Sequence, residues 1–204
     1  MPRPSISLEK KLWEKGYSNI CGIDEVGRGS WAGPLVAAAV ILPKNFRIPK
    51  VFGDSKQLKP KLREETSIYI QNCAISYSIS EIPVNVINKI GVGAATHMAF
   101  RAVIKNLKTK VDFALIDAFY IKHFSKKKQL AIVKGDEKCA SIAAASIIAK
   151  VYRDKLMQKM DITYPSYGFF SHKGYGTKLH QEAIKKLGFS KIHRTNYKLN
   201  FLFA

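Results

Sequence analysis

Carboxylates are scarce in this chain: 15 Asp and Glu stand against 34 Lys and Arg in 204 residues, a net charge of +19. That balance disfavours a cationic partner and favours a polyanion, nucleic acid ahead of an anionic membrane surface. Cysteine is almost as rare. Cys21, Cys73 and Cys139 are far apart, odd in number and without a C-x-x-C pair, which argues against a thiolate zinc site and for a reducing cytoplasm. No segment approaches the ~20 apolar residues of a membrane span, and no apolar secretory stretch opens the chain, so a cytoplasmic protein without membrane contact is expected. Low-complexity stretches and internal repeats are also missing. The positive excess is uneven, with 17 basic and 5 acidic residues in 118–204.

What is present reads as an α/β domain. Ile20-Cys21-Gly22-Ile23 predicts a strand over 19–25, and LVAAAVIL (35–42), entered through Gly33-Pro34, predicts its turn-linked partner. Residues 59–72 have a helical pattern, whereas AISYSISEI (74–82) alternates as a strand does. Apolar residues recur at helical spacing from 84 to 107, interrupted by Gly91 and Gly93, and 111–117 and 129–133 are short apolar strands. One long Ala/Ile-rich helix is expected over 137–160 and another over 177–188, stopped by Gly188. Strands followed by alternating strands and helices imply a mixed sheet with flanking helices and a basic helical C-terminal part.

Acids at strand ends carry the chemistry. Asp24-Glu25, Asp117 and Asp136 each follow an apolar strand, where α/β sheets gather functional groups. Converging carboxylates repel unless cations lie among them, and oxygen donors without Cys or His suit Mg²⁺ or Mn²⁺. Taken singly, Asp136 could be a helix N-cap and Asp117 a loop acid. Neighbours on a regular strand face opposite ways, so either the strand ends near Asp24-Glu25 or only one acid is a close ligand. Asp154 lies 18 residues beyond Asp136, ~27 Å along a straight helix, so Asp136 is chosen and Asp154 is expected to pair with Arg153 or a neighbouring base. Gly27-Arg28-Gly29-Ser30-Trp31-Ala32 fits a dinucleotide fingerprint, but Pro34 and a strand follow it where a helix is required. Its glycines instead let the backbone approach a ligand closely, with a guanidinium beside it, where exposed amides and carbonyls could read a ribose 2′-hydroxyl.

Several blocks in order resemble the bacterial ribonuclease HII family, of the ribonuclease H fold. They are Gly22-Ile23-Asp24-Glu25-Val26-Gly27-Arg28-Gly29, Asp54-Ser55-Lys56-Gln57-Leu58, Leu115-Ile116-Asp117 and Lys134-Gly135-Asp136. Ala144 to Lys150, Arg153-Asp154, His172 to Thr177 and His193-Arg194 continue the match. The resemblance implies a ribonuclease H-like α/β fold, with a catalytic unit over 1–160 and a helical substrate-binding extension over 161–204 forming one compact monomer. It implies endonucleolytic cleavage of RNA paired with DNA, and cutting 5′ of a single ribonucleotide in duplex DNA to leave 3′-hydroxyl and 5′-phosphate ends. Asp24, Glu25, Asp117 and Asp136 would bind two Mg²⁺ or Mn²⁺ ions. Gly27, Arg28 and Gly29 would grip the ribonucleotide, Tyr175 would stack on its sugar, and Ser55 and Lys56 would meet phosphates.

Three departures from the family are visible. Ser30 replaces the usual Pro and is expected to alter only the turn. Ala118 replaces the Gly after Asp117, at a cost of roughly 1 kcal/mol if that position needs φ > 0. Phe119-Tyr120 is unfamiliar. The end, YKLNFLFA, is read as a packed tail, with a sliding-clamp peptide as the alternative. Two rival functions remain at this level: a ribonuclease H-fold nuclease acting on DNA alone, and a non-catalytic basic nucleic-acid-binding module. The histidines lack metal-ligand spacing and are given no catalytic role.

Overall fold

The computed structural model describes residues 3–49, 52, 59–197 and 199. Five strands, β1 (Ile20–Val26), β2 (Leu35–Ile41), β3 (Ser76–Ile82), β4 (Phe113–Asp117) and β5 (Gln129–Ile132), build one sheet ordered β3-β2-β1-β4-β5. The first three run antiparallel in pairs, while β1–β4 and β4–β5 are parallel. This is the expected mixed sheet. β2 is buried along its whole length because both faces are covered, whereas β3, at the edge, alternates.

Among the described residues, seven α-helices accompany the sheet: α1 (Ser7–Glu14), α2 (Pro60–Cys73), α3 (Val84–Asn106), α4 (Gly135–Lys138), α5 (Ala140–Thr163), α6 (Phe169–His172) and α7 (Lys178–Leu187). On one face α3, kinked at Gly91, packs Ile87, Ala99, Phe100 and Val103 against Cys21, Ile23, Ala37 and Ala39. On the other, α5 lays Ala143, Ala144, Ile147 and Ile148 against Val36, Ala38 and Val40. Alanines let α5 lie low on the sheet. At Gly22 the approach is closest: a Cβ there would come 2.1 Å from the Ser141 carbonyl carbon.

The single helix expected over 137–160 is two. Cys139 is extended (φ −121°, ψ 127°) and separates α4 from α5. The break has a cause in the N-terminal segment. Ser5 bonds Lys138 and Ala140 through its backbone, and buried Glu9 of α1 accepts the Ser141 N–H at 2.9 Å. A carboxylate thus satisfies an orphan donor at the α5 N-terminus, where the helix dipole favours negative charge. The straight-helix premise used to separate Asp136 from Asp154 is therefore wrong, although the two acids do lie in different surroundings.

Gly22→Ala should lose about 2–3 kcal/mol of stability, because the new methyl meets backbone rather than a movable side chain. Urea denaturation measures this; an unchanged midpoint would show that α5 can lift from β1 freely.

Candidate active site

The sheet ends unevenly. Pairing of β1 with β4 stops at Ile23–Ile116, while β1 continues beside β2 through Val26. Asp24 and Glu25 therefore both lie within a continuous strand; it neither ends nor breaks at them. Asp24 shares the α5 face with Gly22, and Glu25 shares the α3 face with Ile23. Because β4 stops at Asp117, a cavity of about 470 Å³ opens at its end, and acids from both faces reach it. Asp136, in the first turn of α4 rather than at its N-cap, also lines it.

The acids are held before any ligand is considered. Asp24 accepts the Glu25 N–H at 2.7 Å and a Ser146 hydrogen bond, while Asp117 Oδ1 accepts the Gly135 N–H at 2.7 Å. Burial, then repulsion from Glu25, raises the Asp24 pKa well above the carboxylate range despite the Ser146 bond; Asp117 adds to the repulsion. Glu25 is pushed up to about 7, by burial first and by Asp117 second, with Arg28 opposing. Its Oε2 is buried without a hydrogen-bond partner among the described residues. An all-oxygen donor set of desolvated, mutually repelling carboxylates with an unsatisfied oxygen fits a hard divalent cation. No group of three or more His, Cys, Asp or Glu among the described residues forms a finished cage, so the fit lies in the donors' chemistry.

Gly27, Arg28, Gly29 and Tyr175 line the same cavity. Ser55 and Lys56 lie outside the described residues. Arg28 Cζ sits 4.5 Å from the centroid of Phe119, so one unfamiliar residue of the loop after β4 steadies the guanidinium. Ser146, Ile147 and Lys150 complete the wall from α5, and sequence reasoning gave them no role. The signal was there: Ser146, Lys150 and Arg153 are spaced i, i+4, i+7, one helical face. Lys150 also pairs with Asp154 at 2.8 Å, and Arg63 pairs with it at 3.3 Å.

Arg153 does something else. Fully buried, it donates to Pro34 O (3.0 Å), Lys173 O (2.9 Å), Ala32 O (3.1 Å) and Ser30 Oγ (2.7 Å). Burial lowers its pKa to about 10. Gly27 has φ +86°, and a Cβ there would fall 2.1 Å from Arg153 Nε. Ser30 is thus more than a turn variant: its hydroxyl donates to Gly27 O at 2.8 Å and accepts from Arg153. From the C-terminal segment, buried Arg194 donates to Gly33 O and Arg28 O. Leu199 packs beside Ile184, Trp31 and Tyr197; residues 198 and 200–204 of the expected tail lie outside the described residues.

Behind Tyr175 stand three buried histidines. His172 bonds Tyr167 O and the Gly174 N–H, His180 bonds Tyr175 O at 3.0 Å, and His180 and His193 meet through Nε2 at 3.0 Å. Gly174, next to Tyr175, offers its carbonyl to the N–H groups of Trp31 and Ala32.

The Ribonuclease HII family model matches residues 21–201. A ribonuclease HII of Caldanaerobacter subterraneus subsp. tengcongensis is 48% identical over 189 residues, 93% of this chain and 78% of that protein. The RNase HII in a PCNA:RNase HII complex from Archaeoglobus fulgidus superposes with a TM-score of 0.74 at 25% identity, over 89% of this chain and 96% of that one. A structure of Bst-RNase HIII in complex with Mn²⁺ shares the fold, with a TM-score of 0.65 at 19% identity over 82% of this chain and 61% of that one.

Ala118, directly after Asp117, adopts φ 59°. Ala118→Gly should relieve that strain and raise the unfolding free energy by up to ~1 kcal/mol, offset in part by the freer unfolded chain; a lower urea midpoint would refute it. Glu25 has a folded-state pKa of about 7 against an ordinary 4.5. Folding therefore favours its protonated form, and the stability present below pH 4.5 is lost as pH rises through about 7. In EDTA, Glu25→Gln should match the parent's stability at low pH and exceed it by about 1–3 kcal/mol above neutrality. A difference independent of pH would contradict this.

Proposed function

Because the chain belongs to the ribonuclease HII family, we propose that this endoribonuclease cuts the RNA strand of RNA/DNA hybrids and cuts 5′ of single ribonucleotides in duplex DNA, leaving 3′-hydroxyl and 5′-phosphate ends. One observation carries the proposal. The four acids Asp24, Glu25, Asp117 and Asp136, with Gly27-Arg28-Gly29 and Tyr175, come from separated parts of the chain and line one cavity. Asp24, Glu25, Asp117 and Asp136 would hold two Mg²⁺ or Mn²⁺ ions, whose chemistry is to acidify a water and to take up charge on a leaving oxygen.

The chain's own groups supply position. Ser146 and the Glu25 N–H fix Asp24, and the Gly135 N–H fixes Asp117. The pinned backbone of residues 27–29 offers polar groups to a ribose 2′-hydroxyl, the group that separates RNA from DNA. Arg28 brings positive charge, and the Tyr175 ring offers a stacking face for the sugar. We assign catalysis to 1–160 and duplex binding to the basic 161–204 extension, largely through phosphates and so with steep salt dependence. Ser55 and Lys56 would add phosphate contacts, and the monomer would work in the cytoplasm. No helix among the described residues is long and apolar enough to cross a membrane. A sliding-clamp contact through the tail stays a secondary proposal, since the PCNA complex belongs to the Archaeoglobus protein.

The test is an end-labelled DNA duplex with one ribonucleotide, beside a long hybrid and an all-DNA control, in Mg²⁺, Mn²⁺ or EDTA. Metal-dependent cleavage 5′ of the ribonucleotide is expected, with the control intact. Asp117→Asn should lower the rate at least ~10³-fold, equivalent to about 4 kcal/mol. Cutting of the control would indicate a DNA nuclease, and binding without cleavage would indicate a binding module.

A further inference from the structure

A second cavity, about 290 Å³, lies on the α3 side of the sheet. His97 and Arg101 of α3 line it with Lys122 and His123 of the loop before β5, and Gly93 and Ala94 leave its mouth open. Arg101 fastens the two elements by donating to Lys122 O at 3.2 Å, and His123 adopts a left-handed backbone with φ 62°. None of these four basic side chains forms an ion pair among the described residues. His97 Nδ1 is buried with no hydrogen-bond partner there. Its pKa is lowered by burial first, then by Lys122, Arg101, Arg28 and His123. Arg28, on the wall of the catalytic cavity, stacks on Phe119 of the same β4–β5 loop that carries Lys122 and His123, so the two cavities share that loop.

We propose that this pocket binds a phosphate group and, in the enzyme–substrate complex, holds a backbone phosphate of the duplex beside the catalytic cavity. Gathered cations without a carboxylate call for an anion, and a phosphate's oxygens can accept from His97, Arg101 and Lys122 together. The backbone part of the proposal rests on the nucleic-acid reading above; the phosphate part does not. It also gives the duplex a contact on the α3 face of the sheet.

Two measurements test it. In EDTA, the affinity of a hybrid duplex is followed between ~50 and ~200 mM salt. The Arg101→Gln/Lys122→Gln protein should bind about tenfold more weakly, with a log–log salt slope shallower by about 0.9. Lys126→Gln/Lys127→Gln, which removes the same charge from the same loop region, should change both less. Separately, the His97 ring resonances are followed as inorganic phosphate replaces chloride at constant ionic strength. They should move in the parent and not in Arg101→Gln/Lys122→Gln. Loss of duplex affinity specific to the pocket pair supports the backbone grip. Unchanged duplex affinity with a phosphate-sensitive His97 supports a free-phosphate site and removes the backbone grip. Equal losses from both charge pairs, or no effect in either measurement, overturn the proposal. If the parent itself fails to bind or cut the duplex, the nuclease reading falls separately, and the His97 response alone decides for or against the pocket.

Discussion

A fully buried guanidinium that bonds backbone carbonyls rather than a carboxylate organises this molecule. Burying an ionised side chain is costly unless its donors are met, and all three guanidinium nitrogens of Arg153 are bonded, to Pro34, Lys173, Ala32 and Ser30. Those acceptors lie on the β1–β2 loop and on the segment leading to Tyr175. One side chain therefore fixes the cavity wall that carries Gly27–Gly29 relative to the wall that carries Tyr175. Its ring contact, with Cζ 5.5 Å from the Tyr175 centroid, extends the same link. Arg194 repeats the device from the C-terminal segment through Gly33 O and Arg28 O. The backbone of Arg28 is thus pinned while its side chain stays exposed and able to meet a ligand.

The acids answer a different constraint. Like charges brought to one strand end raise one another's proton affinity, and here burial is the larger cause for both Asp24 and Glu25. Such a site is tolerable only because the sheet and helices that impose it are rigid. Stability is given up locally, in the carboxylates and in the left-handed Ala118 beside Asp117, and is recovered in the cores on either side of β1 and β2.

Where a residue's role is set by its own strand or helix, the sequence was informative. LVAAAVIL is apolar throughout because β2 is covered on both faces, and β3 alternates because it is the edge. Strand-end acids were legible for the same reason, as was the rejected dinucleotide fingerprint, since a strand follows the glycines. Roles set by distant partners were not legible. Glu9 lies 132 residues from the Ser141 amide it accepts from, and no local pattern announces that bond or the break at Cys139. Asp154 was expected to pair with Arg153 or a neighbouring base, and Lys150 is that base; the hydroxyl partner of Arg153, Ser30, lies 123 residues away and had no local signal. The Asp24–Glu25 question could not be resolved locally either, because the answer lies in where β4 stops.

The histidines behind Tyr175 show why proton inventory, rather than residue type, decides what a cluster can do. The Tyr175 carbonyl can only accept, so His180 Nδ1 carries a proton and its Nε2 is the acceptor toward His193. His193 must then donate from Nε2, which leaves its Nδ1 to accept the Ser190 N–H at 2.8 Å. His172 is fixed in the same way, donating to Tyr167 O and accepting from Gly174 N–H. Every ring nitrogen is committed while all three rings are neutral. A second proton on any ring would set a donor against a donor, and burial already pushes His180 and His193 down to about 4. A metal would need a lone pair that none of them has free. Three imidazoles in contact thus serve to hold the Tyr175 and Gly174 backbone in place, and of the groups around the cavity it is the carboxylates that keep donor oxygens a hard cation could use.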